Sequence, residues 1–253
     1  MTDEVSGAGA PAVLVAPDAD ALVAAVAARF VTRLIDVQAD GRVAHVVLTG
    51  GRVAAAVYRA VAESPARSAI DWQRVEFWWG DERFLPEGDA DRNATQAWDA
   101  LLSKVDVDPA KVHEMAADTG QGPEAAATEY AEQLAAAATA PGESAQVPAF
   151  DLLMLGVGPD GHVASLFPGF PQLAVDDTSA VAVHDSPKPP PTRVSLTFPA
   201  LARAAEVWFV VSGDDKADAV QTALSGGDVP AATPKGNSRT VWLLDAAAAS
   251  KIK

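Results

Sequence analysis

The sequence predicts an α/β fold with a mainly parallel sheet covered by helices on both faces, and three observations carry that expectation. Short β-rich apolar runs alternate with longer alanine-rich stretches of helical character. With 49% hydrophobic and 21% charged residues, composition is that of an ordinary globular protein and not of a disordered or fibrous chain. The 253 residues are enough to bury a substantial core without disulfide or metal staples. Repeated strand-helix-strand order then makes parallel pairing the expected topology.

In chain order, the apolar run AVLV at 12–15 reads as the first strand, and the alanine-rich stretch 19–35 as the helix that follows it. HVVL at 45–48 is a second strand, leading through a Gly-Gly turn into a helix at 52–62. VEFWW at 75–79 is a third, with a helix expected at 94–102. A helix at 123–138 opens on Pro123, where proline fits a first helical turn. FDLLML at 150–155, VWFVV at 207–211 and VWLL at 241–244 complete six strands, with helices expected at 216–224 and 245–250. Residues 139–149 and the proline run at 186–191 read as loops. Residues 1–11 are expected to form a flexible N-terminus ahead of a single domain over 12–253.

Composition excludes several functions. The formal charge of -15, from 34 acidic and 19 basic residues, repels nucleic acid and anionic membranes. A small phosphorylated substrate stays compatible, because a few local cations can hold a phosphate against the global field. There is no cysteine, which removes thiolate nucleophiles, disulfides and thiolate metal sites. His113-Glu114 has no second histidine four residues on, and the other histidines are scattered, so no metal is expected. The acidic, small-residue start lacks the form of a secretion signal, and no run of 18 apolar residues exists, so a cytoplasmic setting is expected.

Ligands of such sheets bind where strands end and loops lead into helices. Four loops meet that description: Thr49-Gly50-Gly51, Gly80 to Arg83, Gly156 to His162, and Ser212 to Lys216. Gly156, Gly158 and Gly161 match the spacing of a dinucleotide-binding turn, but Phe167-Pro168-Gly169-Phe170-Pro171 stops the helix that motif requires. The glycines instead let backbone approach a ligand and present Asp160 and His162 at the strand end. Histidine titrates near neutrality, which suits proton removal from an attacking water, with a carboxylate fixing its tautomer. Ser165, three residues on, would share a helical face with His162 and is a second nucleophile candidate, but no nucleophile elbow surrounds it, so water is preferred. Asp81, Arg83, Arg193 and Lys216 are the polar and cationic candidates at the same edge, and Thr49-Gly50-Gly51 can offer N–H groups and a helix N-terminus to an anion.

Together, Thr49-Gly50-Gly51, WGDERF from Trp79, LGVGPDGHVASLFPG from Leu155, TRVSLT from Thr192, SGDDKA from Ser212 and VWLLDAAA from Val241 resemble the 6-phosphogluconolactonase family over nearly the whole chain. The glucosamine-6-phosphate deaminases resemble the glycine segment only as far as Asp160-Gly161-His162. The resemblance implies a modified doubly wound, Rossmann-like fold and cofactor-free hydrolysis of a phosphorylated sugar lactone in the oxidative pentose phosphate pathway. It implies His162 as base, and Asp81, Arg83, Arg193 and Lys216 at polar and phosphate-binding positions. A deaminase or a non-catalytic sugar-phosphate sensor are the alternatives, and a monomer or weak homodimer is expected. The family's glycine loop often carries hydroxyl residues where Arg52 and Val53 stand here, and Arg92 occupies a position where serine is common.

Overall fold

In the computed structural model, residues 10–138 and 146–252 are described. Strand β1 (Ala12–Ala16) leads into helix α1 (Ala19–Ala39), whose first turn is capped by the Asp18 carboxylate accepting from the Ala21 N–H at 2.8 Å. Leu22, Val26, Phe30, Leu34 and Val37 form the buried stripe of α1, the spacing of a helix with one face on a core. Next come β2 (Ala44–Leu48), α2 (Arg52–Glu63), β3 (Val75–Trp79), β4 (Asp81–Arg83) and α3 (Asn93–Ala100). They are followed by α4 (Pro123–Ala137), β5 (Phe150–Leu155), β6 (Ala180–Val183) and β7 (Arg193–Leu196). The chain closes with α5 (Phe198–Leu201), β8 (Ala204–Val211), α6 (Ala217–Leu224) and β9 (Arg239–Asp245).

Six strands form one parallel sheet in the order β1-β9-β8-β5-β2-β3. All six residues of β5 are buried, as a central parallel strand covered on both faces requires. From β2 the chain steps outward to β3, then crosses back to β5 and continues the other way to β8 and β9. The reversal lies between β2 and β5, which makes the carboxyl ends of these two strands the crevice where such folds bind ligands.

The six expected strands are all present, four of them extended by one to three residues at one end or both. Three further strands, β4, β7 and β6, form a small antiparallel sheet that the strand pattern did not predict. At Gly80 the chain leaves one sheet for the other: its N–H donates to the Leu48 carbonyl at 3.0 Å, and its own carbonyl accepts from Leu196 N–H at 2.9 Å. The helix expected at 245–250 is absent. Asp245 is the last residue of β9, and its carboxylate accepts from the Ala248 N–H at 2.7 Å, which closes the alanine run into turns. The helix expected from residue 216 begins one residue later, after a short 3-10 turn. The flexible stretch expected at 1–11 lies outside the described residues except for its last two, as do 139–145 of the loop expected at 139–149. Among the described residues, no helix is long and apolar enough to cross a membrane.

Candidate active site

A cavity of about 340 Å³ opens over the carboxyl ends of β2, β3, β5 and β8. Of the nine residues singled out from the sequence, eight line it: Thr49, Gly50, Gly51, Asp81, Arg83, His162, Arg193 and Lys216. Asp160, the ninth, stands behind His162 and reaches it by hydrogen bond.

The loop after β5 is folded on itself by two backbone bonds of 2.9 Å, from Gly158 N–H to the His162 carbonyl and from Gly161 N–H to the Gly158 carbonyl. This turn brings Asp160 Oδ1 to 2.5 Å from His162 Nδ1. Gly158 has to be glycine: a Cβ there would lie 2.0 Å from His162 Nδ1 and 2.5 Å from Asp160 Oδ1. Burial raises the Asp160 pKa, but the hydrogen bond and charge of His162 outweigh it and hold the carboxyl at about 2. A carboxylate on Nδ1 fixes the tautomer with Nε2 unprotonated in the neutral ring, the form that accepts a proton. Phe167, 1% exposed, packs its ring 4.4 Å from the imidazole and limits its rotation.

After His162 the chain forms a tight bridge between Val163 and Leu166, with Ala164 at φ 48°, and not a helical turn. Ser165 therefore does not share a face with His162. It is buried, and its hydroxyl donates to Asp81 Oδ2 at 2.6 Å, so the nucleophile reading of Ser165 is corrected by the backbone that carries it.

The loop after β2 is pinned from below by Tyr58, whose hydroxyl accepts from Thr49 N–H at 3.0 Å and donates to the Thr49 carbonyl at 2.8 Å. Gly51 takes φ 98° as the N-cap of α2, and Arg52, Val53 and Ala54, whose first-turn N–H groups have no partner within the helix, line the cavity. Gly50 packs against Asn93, whose Nδ2 donates to the Asp81 carbonyl at 2.8 Å.

Asp81 is buried in the cavity wall, while Glu82 turns away and caps α3, accepting from the N–H groups of Asn93 and Ala94 at 2.6 and 2.8 Å. Arg92 pairs with Glu82 at 3.7 Å and donates to the Met115 carbonyl at 2.6 Å. The arginine that departs from the family pattern is thus a buried brace for the Asp81 strand. Arg83 and Arg193 are direct partners across β4 and β7, and Arg83 Nη1 donates to the Asp91 carbonyl at 2.6 Å. On the far side, Asp245 accepts from the Ser212 hydroxyl at 2.5 Å and orients the loop that carries Lys216. Lys216 Nζ donates to Asp215 Oδ2 at 2.7 Å.

Sequence reasoning missed Lys188, Asn93, Arg52 and Phe167 as cavity residues. Lys188 had one signal, as the only charged residue within the proline run at 186–191. Asn93 had none, because its place depends on how β4 and α3 pack. Among the described residues no three His, Asp or Glu side chains gather closely enough to share a metal ion.

Residues 17–242 match the sequence model of the family described as glucosamine-6-phosphate isomerases/6-phosphogluconolactonase. The chain is 53% identical over 248 residues to a 6-phosphogluconolactonase of Streptomyces coelicolor, covering 96% of this chain and 95% of that one. It is 48% identical over 242 residues to one of Mycobacterium tuberculosis, covering 93% and 96%. The crystal structure of a 6-phosphogluconolactonase from Thermotoga maritima superposes with a TM-score of 0.81 at 28% identity, covering 93% of this chain and 99% of that one. A match over most of the chain in sequence, together with the same fold in space, makes this protein a member of the glucosamine-6-phosphate isomerase/6-phosphogluconolactonase family.

Proposed function

We propose that the protein hydrolyses 6-phospho-D-glucono-1,5-lactone to 6-phosphogluconate, with water activated by His162, in the oxidative branch of the pentose phosphate pathway in the cytoplasm. The observation that carries this reading is the His162–Asp160 pair at the wall of a cavity ringed by cations, on a chain whose overall charge is -15. Nε2 of His162 accepts the proton of a water that attacks the lactone carbonyl, and returns it to the ring oxygen as the C1–O bond breaks. Asp160 stays ionised throughout and stabilises the imidazolium formed between the two transfers. The names of the relatives, 6-phosphogluconolactonases at 53% and 48% identity, support the lactone over an aminosugar substrate.

The phosphate docks on Lys216 and the first-turn N–H groups of α2, where a charge-assisted contact and a helix N-terminus act on the same anion. Arg83 and Asp81 rise from the opposite side of the crevice, beyond β5 and β2, and meet the polar edge of the sugar ring. Binding energy from the phosphate holds C1 in reach of His162.

The test is direct. Freshly prepared lactone is supplied to the purified protein, and 6-phosphogluconate is followed through a coupled dehydrogenase. Hydrolysis well above the spontaneous rate, with no ammonia released from glucosamine 6-phosphate, is the expected result. Ammonia release without lactone hydrolysis would replace this reading by the deaminase.

A further inference from the structure

A proline-rich loop brings one more cation to the cavity. Residues 186–191, Ser-Pro-Lys-Pro-Pro-Pro, adopt no regular structure, and β7 begins two residues later at Arg193. The Arg193 side chain is 6% exposed and turns back along its own chain. Its Nε donates to the Pro190 carbonyl at 2.7 Å, and its Nη2 to the carbonyls of Lys188 and Pro189, each at 3.1 Å. Ser186 closes the loop from the other end: its N–H donates to the Pro191 carbonyl at 2.9 Å, and its hydroxyl to the Lys188 carbonyl at 3.0 Å. Three successive prolines offer no N–H of their own, so the carbonyls of this loop need donors from elsewhere, and a planar guanidinium supplies them from one side chain.

The backbone of Lys188 is therefore held from two sides, while its side chain lines the same cavity as His162 and Lys216. Burial is the first cause that holds the Lys188 pKa below the usual lysine range; Lys216 and Arg193 add to the lowering, and Asp160 and Asp215 oppose it. Asp215, which already holds Lys216 at 2.7 Å, offsets part of the repulsion between the two lysines, and a phosphate between them would offset more.

We propose that Lys188 is a phosphate-binding residue acting with Lys216, and that Arg193 is the positioning residue that holds the proline loop where Lys188 can reach the ligand. This rests on the sugar-phosphate reading of the cavity. It gives Arg193 a different part from the direct phosphate contact suggested by sequence, since two of its three guanidinium nitrogens already serve the loop. A clamped loop also loses little freedom when ligand binds, which favours affinity.

Calorimetric binding of 6-phosphogluconate, gluconate and inorganic phosphate to wild type, Lys188→Met, Arg193→Lys and the double variant tests both parts. Lys188→Met is expected to weaken 6-phosphogluconate by about 10- to 100-fold, the span of one charge-assisted contact, and to weaken inorganic phosphate in the same direction. Arg193→Lys keeps the charge but cannot hold three carbonyls in one plane, so it is expected to lose a similar factor. The double variant should bind within about twofold of Lys188→Met, because both changes remove one contact. Equal losses on gluconate and 6-phosphogluconate, or losses that multiply in the double variant, would overturn the proposal. Should Arg193→Lys fail to fold, Lys188→Met alone still decides the phosphate contact. Phosphate binding that depends on Lys188 in a protein without lactonase activity would sink the proposed function and leave this inference standing. Lactonase activity with unchanged phosphate affinity in Lys188→Met would do the reverse.

Discussion

Replacing Gly158 by alanine inserts a single carbon between the two residues on which the proposed mechanism depends. The new Cβ would stand 2.0 Å from His162 Nδ1, 2.1 Å from its Cε1 and 2.5 Å from Asp160 Oδ1. Ordinary contact needs about 3.4 Å, so the imidazole has to shift by roughly 1.4 Å, and a misplacement of about 1 Å in a reacting group costs on the order of 10²-fold in rate. We expect kcat to fall about 100-fold, equivalent to about 2.7 kcal/mol of transition-state stabilisation, with KM for the phosphorylated lactone little changed. The fold should survive, because Gly158 does not occupy the left-handed region and alanine can adopt its backbone. The lactonase assay gives the rate, and ¹⁵N chemical shifts of the His162 ring report the tautomer. A folded Gly158→Ala protein with wild-type kcat and an unchanged Nδ1–Asp160 signature would refute the claim that this pair does the chemistry.

His162→Ala is expected to lower kcat by about 10²- to 10⁴-fold in a folded protein, on phosphorylated and unphosphorylated lactones alike, because it removes the proposed base and not the proposed anion site; steady-state kinetics on both substrates check this. Asp160 is depressed from 3.8 to about 2 in the folded state, so its contribution to stability is fully present above its unfolded value and is lost as pH falls toward 2. Unscreened, that shift amounts to about 2.5 kcal/mol; with 35% of the side chain in solvent, about 1 kcal/mol is the better figure. Urea denaturation of wild type and Asp160→Asn should therefore differ by about that amount at pH 6 and converge near pH 2; a constant difference over the range would contradict the assignment. Incubation with EDTA should leave activity unchanged, and loss with recovery on adding zinc would reveal a metal site.

The parallel sheet was legible because its strands are buried on both faces and so are written as apolar runs such as FDLLML, which local pattern detects. The four cavity-lining loops followed from the same alternation, since a parallel topology puts every strand's carboxyl end on one edge. His162 and Asp160 are two residues apart, so a short glycine turn suffices to join them and sequence could pair them.

The small antiparallel sheet was not legible. Its strands are three or four residues long, β4 is the charged run Asp-Glu-Arg, and only pairing with β7 and β6 makes these segments extended. Contacts between residues distant in the chain were decided there as well: Ser165 on Asp81 across 84 positions, and Asn93 against Gly50. Whether Ser165 faces His162 or Asp81 turns on one left-handed residue, Ala164, that no propensity favours. By itself the sequence determined which residue types stand at the strand ends, because hydrophobic period and turn chemistry are local. Which of those side chains touch, and which are turned to brace the backbone, as Arg193 and Arg92 are, was decided only by tertiary structure, because buried carbonyls and carboxylates take the nearest donor in space whatever its place in the chain.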